Sequence, residues 1–199
     1  MDQVVTKRPT ADEALSLLLE GNKRFCSCTL EHPNHCEESR EGLVKSQEPI
    51  AVVLSCADSR VPPVDIFDQG LGDVFVLRVA GNIVNDQILG SIEYAVSHLH
   101  CPLVMVLGHT GCGAVSAVAG GARLGGHIAS LTPPIDAAIK NVKGQDGNLV
   151  NNASMELAKN MATKIEQSEP YVADLVKDGK VKVVASFYDL ETGEVSMLD

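Results

Sequence analysis

Short apolar runs rich in β-branched residues recur along the chain, and they constrain its fold more than any other feature of the sequence. Each run has the length of a single strand, and most lack the alternation of apolar and polar residues that a half-exposed strand shows. Continuous apolar runs of this kind are typical of strands that are buried on both faces of a sheet. The runs occupy residues 50–55, 74–79, 103–107 and 181–188.

Helical patterns lie between these runs, over residues 85–99 and, as one long helix, over about 152–177. The alternation of strands and helices predicts an α/β fold with a mostly parallel central sheet of about four strands, flanked by helices. A turn at 189–194 predicts that 195–198 returns as a short antiparallel edge strand. The glycine pairs within 120–126 predict a loop and not a domain boundary.

The first part of the chain has a different character from the rest. A helix is predicted from about Thr10 or Asp12 to Phe25, and a polar stretch follows it. Residues 1–47 are therefore predicted to form an N-terminal helical arm, and residues 48–199 the core. Arm and core together are expected to make one α/β domain.

Composition excludes several classes of protein. The chain has 199 residues, a formal net charge of −10 and 45% hydrophobic residues, which is too apolar for a disordered protein. Its acidic balance argues against a nucleic-acid or acidic-membrane partner, and no apolar run approaches the ~18 residues of a membrane helix. The segment 1–7 does not resemble a secretion signal, so a cytoplasmic location is predicted, with an organelle or a microcompartment as alternatives. In a reducing compartment, the six cysteines more often hold metal than pair.

Two groups of reactive side chains, each containing metal ligands, follow the first and third apolar runs. The first group contains Cys56, Asp58 and Arg60, and the second contains His109 and Cys112. Because ligands collect at the carboxyl ends of parallel strands, we expect Cys56, His109 and Cys112 to surround one point. Thiolate and imidazole are ligands that zinc prefers, and three of them leave a fourth tetrahedral position open, as in catalytic zinc sites.

The spacing of Asp58 and Arg60 predicts a switch at that open position. Asp58 can accept a hydrogen bond from a bound water, while Arg60 holds the carboxylate away from the metal through a bidentate pair. If Arg60 released it, Asp58 could become a fourth ligand and close the site.

The order of these residues, Cys-x-Asp-x-Arg followed by His-x-x-Cys-Gly, resembles the β-class carbonic anhydrases. The resemblance extends over nearly the whole chain and includes Gln47 ahead of the first strand. Further matching segments lie at 20–25, 59–63, 72–75, 78–82, 91–95 and 188–193. The chain has no tryptophan, so the resemblance does not extend to the bicarbonate regulatory site that uses this residue in some members.

The resemblance implies one Zn²⁺ per subunit, bound by Cys56, His109 and Cys112, with Asp58 and Arg60 as the gating dyad. It implies reversible hydration of CO2 to bicarbonate and a proton, by attack of zinc-bound hydroxide. It also implies a homodimer or a higher homo-oligomer, in which the partner completes a small apolar substrate pocket. The implied substrate-binding groups are Gln47, Phe75, Ala80, Tyr94 and the backbone N–H of Gly113.

Two alternative functions are compatible with the same motifs. Carbonyl sulfide or carbon disulfide could be hydrolysed on the same scaffold, since zinc hydroxide attacks any linear cumulated carbon. A non-catalytic zinc-binding or redox-sensing protein would use Cys56 and Cys112 as oxidisable ligands, and Asp58 and Arg60 would then be incidental.

Other histidines and cysteines receive weaker interpretations. A proton shuttle is not identified, and His98, His100 and His127 are candidates by chemistry alone. The cysteines and histidines within 26–36 match no zinc motif and are interpreted as part of a solvated arm. Cys101 is interpreted as a small buried hydrophobic residue.

Overall fold

A five-stranded sheet in the order β2-β1-β3-β4-β5 forms the centre of the fold. This computed structural model describes residues 8–199, so the first seven residues of the predicted arm lie outside the described residues. The first four strands pair in parallel, and β5 runs antiparallel to β4 at one edge, which confirms the predicted fold class. The strands are β1 (Ala51–Ser55), β2 (Val74–Arg78), β3 (Leu103–His109), β4 (Lys182–Tyr188) and β5 (Val195–Leu198).

Helices cover both faces of this sheet. They are α1 (Ala11–Cys26), α2 (Glu37–Leu43), α3 (Pro63–Ile66), α4 (Asp86–Ser97), α5 (Gly113–Ala119), α6 (Thr132–Val142), α7 (Leu149–Glu166) and α8 (Tyr171–Lys177), with 3-10 turns at Ala80–Asn82 and Gly126–Leu131. The helix α1 begins as predicted, because Thr10 and Glu13 exchange hydrogen bonds between side chain and backbone in a capping box. Within the described part of the chain, no helix combines the length and the hydropathy that a membrane crossing requires.

Alternate residues of the central strands enter two separate apolar cores. In β1, Val52 and Leu54 belong to the larger core, which also contains residues of α4, α6 and α7. Ala51 and Val53 belong to the smaller core beneath α1 and α3. Both faces of β1 are therefore buried, which is the physical reason for its continuous apolar sequence.

In the second half of the chain, one prediction is wrong and one helix was not predicted. The predicted helix over 152–177 is two helices, α7 and α8, because Pro170 cannot donate a backbone hydrogen bond and disfavours helical geometry at the residue before it. The loop predicted within 120–126 is confirmed, but the helix that lies beyond it was not predicted. A 3-10 turn begins at Gly126, and α6 follows with prolines in its first turn, where the missing N–H costs nothing.

The arm is attached to the core through buried polar contacts. Asn22 of α1 donates to the carbonyl oxygens of Ile66 and Gly193, at 3.2 and 2.8 Å. Asp68 is buried and accepts hydrogen bonds from the Arg24 side chain and from the backbone N–H of Glu31, at 2.6 and 3.0 Å. The arm, whose residues 26–36 were interpreted above as solvated, is therefore held in place at the C-terminal end of its first helix and at Glu31.

Candidate metal centre

Three ligand side chains from two neighbouring strands and one helix meet at the carboxyl edge of the sheet. Cys56 directly follows β1, His109 is the last residue of β3, and Cys112 is the N-cap of α5. Their ligand atoms all lie within 4.8 Å of one another, and all three residues are buried. Within residues 8–199, this is the group of three His, Cys, Asp or Glu residues that could share one ion. The parallel pairing of β1 with β3 produces this meeting, as the sequence predicted.

One ring nitrogen of His109 has a hydrogen-bond partner, and the other has none among the described residues. Its Nδ1 lies 2.9 Å from the carbonyl oxygen of Thr110, which assigns the proton to Nδ1. Its Nε2 is buried and has no hydrogen-bond partner among the described residues. A buried polar atom without a partner is costly, and a metal ion is a partner that a neutral imidazole nitrogen accepts. The donor set of two sulfurs and one such nitrogen therefore fits zinc.

The two cysteines share one proton in the absence of a metal. The thiol of Cys112 donates toward Cys56, and this bond lowers the pKa of Cys56 to about 4 against the opposing effect of burial. The backbone N–H of Gly81 supports the Cys56 sulfur at 3.3 Å. The same bond to Cys56, with burial, raises the pKa of Cys112. Cys56 is therefore the thiolate of the pair, and Cys112 keeps its proton until a cation replaces it.

Asp58 is held by Arg60 and is not a member of the ligand group. Arg60 donates to the two carboxylate oxygens through Nε at 2.9 Å and Nη2 at 2.7 Å, and its backbone N–H adds a third bond at 3.0 Å. The side-chain bond from Arg60 holds the pKa of Asp58 well below its usual range, so this carboxyl is ionised. The fourth position beside the three ligands is thus left to another group.

Arg78 is a contributor to the site that the sequence reasoning did not single out. This residue ends β2, and its guanidinium donates to the carbonyl oxygens of Cys56 and Asp58. It therefore braces the backbone that carries both the first ligand and the dyad carboxylate. Because the contacts go to main-chain oxygens, no side-chain pattern in the sequence indicates them.

Four of the five predicted substrate-binding residues lie on four different elements, and Gln47 lies in the segment between α2 and β1. The rings of Phe75 and Tyr94 are 6.3 Å apart, and Tyr94 also lines a cavity of about 850 Å³ together with Gln47. Ala80 begins the 3-10 turn that follows β2, and Gly113 is the exposed first residue of α5. Tyr94 is 47% exposed, which leaves its ring available to a further surface.

The three histidines considered as proton shuttles lie in different places. His98 stacks at 5.4 Å from Tyr94 and lines the same cavity as Gln47. His100 lines a separate cleft beside Tyr171, and His127 is exposed on a 3-10 turn. Of the three, His98 is the one that shares a cavity with predicted substrate-binding residues.

The remaining cysteines do not form a second ligand group in the described part of the chain. Cys26, Cys28 and Cys36 are exposed, and the rings of His32 and His35 meet edge to face at 6.2 Å. The thiol of Cys101 is buried, and burial raises its pKa to about 12. A thiol with such a pKa remains protonated and unreactive at neutral pH.

Comparison with known proteins places this fold and site in a family. The family described as carbonic anhydrase matches residues 51–195, a stretch that includes all three ligands. The chain is 34% identical over 190 residues to carbonic anhydrase 2 of Mycobacterium tuberculosis, covering 94% of this chain and 92% of the relative. The structure of the β-carbonic anhydrase CafA of Aspergillus fumigatus has a TM-score of 0.76 and 28% identity, with coverage of 93% and 90%. The chain belongs to the β-carbonic anhydrase family.

A more distant structure extends the likeness in fold alone. One of two tetrameric β-carbonic anhydrases from Sordaria macrospora aligns with a TM-score of 0.74 at 23% identity, covering 92% of this chain and 96% of that one. The β-carbonic anhydrase match thus spans the sheet and the helices on both of its faces. Gln47 precedes the family match, whereas Phe75, Ala80, Tyr94 and Gly113 lie inside it.

Proposed function

We propose that this chain is a zinc enzyme that catalyses the reversible hydration of CO2 to bicarbonate and a proton. One Zn²⁺ would be held by Cys56, His109 and Cys112. The observation that carries the proposal is this buried triad, with a partnerless His109 Nε2 at the edge of the sheet. Membership of the β-carbonic anhydrase family supports the reaction.

The metal and the dyad have separate tasks in this proposal. A bound zinc ion supplies Lewis acidity that makes water a nucleophile near neutral pH. Asp58 stays ionised because Arg60 donates to both of its oxygens, so it accepts a hydrogen bond from the attacking water and orients it. Arg60 keeps that carboxylate from becoming a ligand, which leaves the fourth position to the reactants.

The substrate contacts follow from the chemistry of CO2. The molecule has no net charge and little polarity, so Phe75, Ala80 and Tyr94 offer it an apolar surface. Gln47 and the backbone N–H of Gly113 can donate hydrogen bonds to its oxygens, where negative charge develops during attack.

We also propose that the working form is a homodimer or a higher homo-oligomer. The strand β2 lies at an edge of the sheet, and its four apolar residues are only half-buried, whereas β1 and β3 are fully buried. An edge of this kind pairs readily with a second copy. Val76→Lys should therefore yield monomers in sedimentation velocity, and Met197→Lys on the opposite edge strand should not. Equal assembly of both variants would contradict an interface at β2.

The proposed reaction is tested by comparing two carboxylate variants in stopped-flow CO2 hydration. Asp58→Ala should lower turnover by about 100-fold, since it removes a positioned proton acceptor, while zinc content stays near one per chain. Asp65→Ala, which removes an exposed carboxylate from α3, is the matched control and should keep wild-type turnover. Unchanged turnover in Asp58→Ala would contradict the role of the dyad.

Sulfide release from carbonyl sulfide, measured in the same preparations, tests the related hydrolase. Rapid sulfide release with slow CO2 hydration would reassign the substrate without changing the site. Carbon disulfide serves as the second substrate in that comparison.

The ionised thiol of Cys56 favours one function of another class, a redox-sensing zinc protein. A low-pKa thiolate within 4.8 Å of a second thiol is placed to form a disulfide and release the metal. A sensor would lose zinc under mild peroxide and would hydrate CO2 no faster than free zinc does. Fast hydration by the reduced protein would exclude redox sensing as the main function.

The cytoplasmic location and the single domain that the sequence indicates remain predictions.

A further inference from the structure

Residues 109–112, called here the ligand loop, join two of the three proposed ligands and are attached to other elements on one side through Thr110. The backbone N–H of Thr110 donates to the carbonyl oxygen of Tyr188 at 3.0 Å, at the end of β4. Its hydroxyl oxygen accepts from the backbone N–H of Leu190 at 2.8 Å. The half of the loop that carries His109 is thus fixed against the sheet.

Gly111, which precedes Cys112 in the other half of the ligand loop, is attached through a single side chain from α7. The backbone N–H of Gly111 donates to Oδ1 of Asn151 at 3.1 Å. Gly111 is exposed, has a φ of 62°, and presents open space where a side chain would be. Packing therefore contributes little to its position, and the bond to Asn151 is the contact that fixes the residue just before Cys112.

Asn151 itself sits on a rigid support. It lies in the first turn of α7, and its backbone N–H donates to the side chain of the N-cap residue Asn148 at 3.0 Å. The helix packs tightly on β3, since a Cβ placed on Gly108 would lie only 3.0 Å from the carbonyl oxygen of Ser154. The hydrogen bond to Asn151 thus fixes Gly111, which has little packing of its own, relative to a tightly packed helix.

We propose that Asn151 is a positioning residue that holds the ligand loop in its metal-binding shape, a role that rests on the proposed zinc enzyme. Removing its side chain frees Gly111 to rotate, so that the backbone leading into Cys112 must be ordered when the metal binds. The Gly111 N–H is exposed and can donate to water instead, so the free energy of unfolding changes little. Groups that orient metal ligands from outside the coordination sphere change affinity by about 10–100-fold, and a backbone restraint belongs at the lower end of that range.

The test measures zinc affinity by chelator competition in the full-length chain, with the Co²⁺ absorption spectrum as a second readout. Asn151→Ala should bind zinc about tenfold more weakly and should alter the Co²⁺ spectrum. Asn151→Asp keeps the acceptor oxygen and should restore wild-type affinity. Asn152→Ala is the matched control, because this neighbouring asparagine also loses one bond to a backbone group, but that group is the Asp146 carbonyl oxygen at 2.9 Å, which is not part of the ligand loop.

Two results would count against this role, and they are distinguishable from failure of the enzyme proposal. If wild-type protein binds zinc and Asn151→Ala matches it, the positioning role is wrong while the metal site stands. If Asn152→Ala weakens binding as much as Asn151→Ala does, the effect belongs to α7 as a whole and the role is also wrong. A wild-type chain that fails to bind one zinc would instead overturn the proposed function itself.

Discussion

Gly108 precedes His109 in β3, and replacing it with alanine tests how closely the site depends on the packing of α7. An added Cβ would lie 3.0 Å from the carbonyl oxygen of Ser154 and 3.3 Å from the Cβ of Ala158. Both neighbours belong to α7, and contacts this short force the helix away from the strand. We therefore expect Gly108→Ala to destabilise the protein and to disturb the ligand beside it.

The magnitude is a balance of two opposing effects. Overpacking a close contact costs about 1–3 kcal/mol. Replacing glycine with alanine gains about 0.4–1 kcal/mol by restricting the unfolded chain. At the midpoints of the two ranges the first effect is larger, so the net loss is about 1.3 kcal/mol, within limits of about 0–2.6 kcal/mol, which corresponds to a fall in Tm of up to roughly 10 °C for a domain of this size.

Gly90 provides the matched control for this experiment. It lies on the exposed side of α4, and an added Cβ meets no atom within 4 Å. Gly90→Ala should therefore show only the stabilising effect, an increase of about 0.5–1 kcal/mol in the free energy of unfolding, and a higher Tm. The assay is thermal unfolding of both metal-free variants, followed by zinc competition. If Gly108→Ala is as stable as Gly90→Ala, the proposed tight packing of α7 on β3 is refuted.

Three further predictions concern the charges at the site. Arg60→Ala should lower CO2 hydration about 10–100-fold, because the freed Asp58 can occupy the fourth position, whereas Arg123→Ala should leave the rate unchanged; equal rates in stopped-flow assays would refute the gating pair. Zinc loading near pH 7 should release about one to two protons per chain, one from Cys112, since Cys56 is already ionised, and a fraction from the bound water, whose pKa zinc lowers to about 7. Because the bond from Cys112 lowers the pKa of Cys56, the thiolate absorbance of the metal-free chain should be present at neutral pH and should disappear on acidification. Calorimetry in buffers of different ionisation enthalpy counts the protons, and a count above two would contradict the shared-proton pair.

The sequence is most informative where a single physical pattern dominates. The fully buried strands β1 and β3 appear as continuous apolar runs, because neither face meets water. Parallel pairing then places the residues at the ends of these strands at one edge of the sheet. The proximity of Cys56 and His109 could therefore be predicted from the sequence.

The beginnings and ends of helices were harder to predict than the buried strands. The break between α7 and α8 was signalled by Pro170, but the apolar pattern continues across it and suggested one helix. A different error occurred at α6, where no helix was predicted although its prolines occupy the first turn of a helix, a position that suits them.

The supports of the site could not be predicted for a different reason. Arg78 and Asn151 both act on backbone groups, the carbonyl oxygens of Cys56 and Asp58 and the N–H of Gly111. Every residue carries such groups, so these contacts impose no requirement on the partner's side chain. Only the three-dimensional arrangement shows which backbone atoms are within reach.

Reconstitution of the metal-free chain with zinc tests the central claim most directly. The metal is removed with a chelator, and zinc is added back in steps while CO2 hydration is followed by stopped flow. The account predicts that activity rises in proportion to bound zinc and reaches a plateau at about one ion per chain, through the Cys56, His109 and Cys112 site. Hydration that is independent of zinc, or that is absent when one ion per chain is bound, would contradict it.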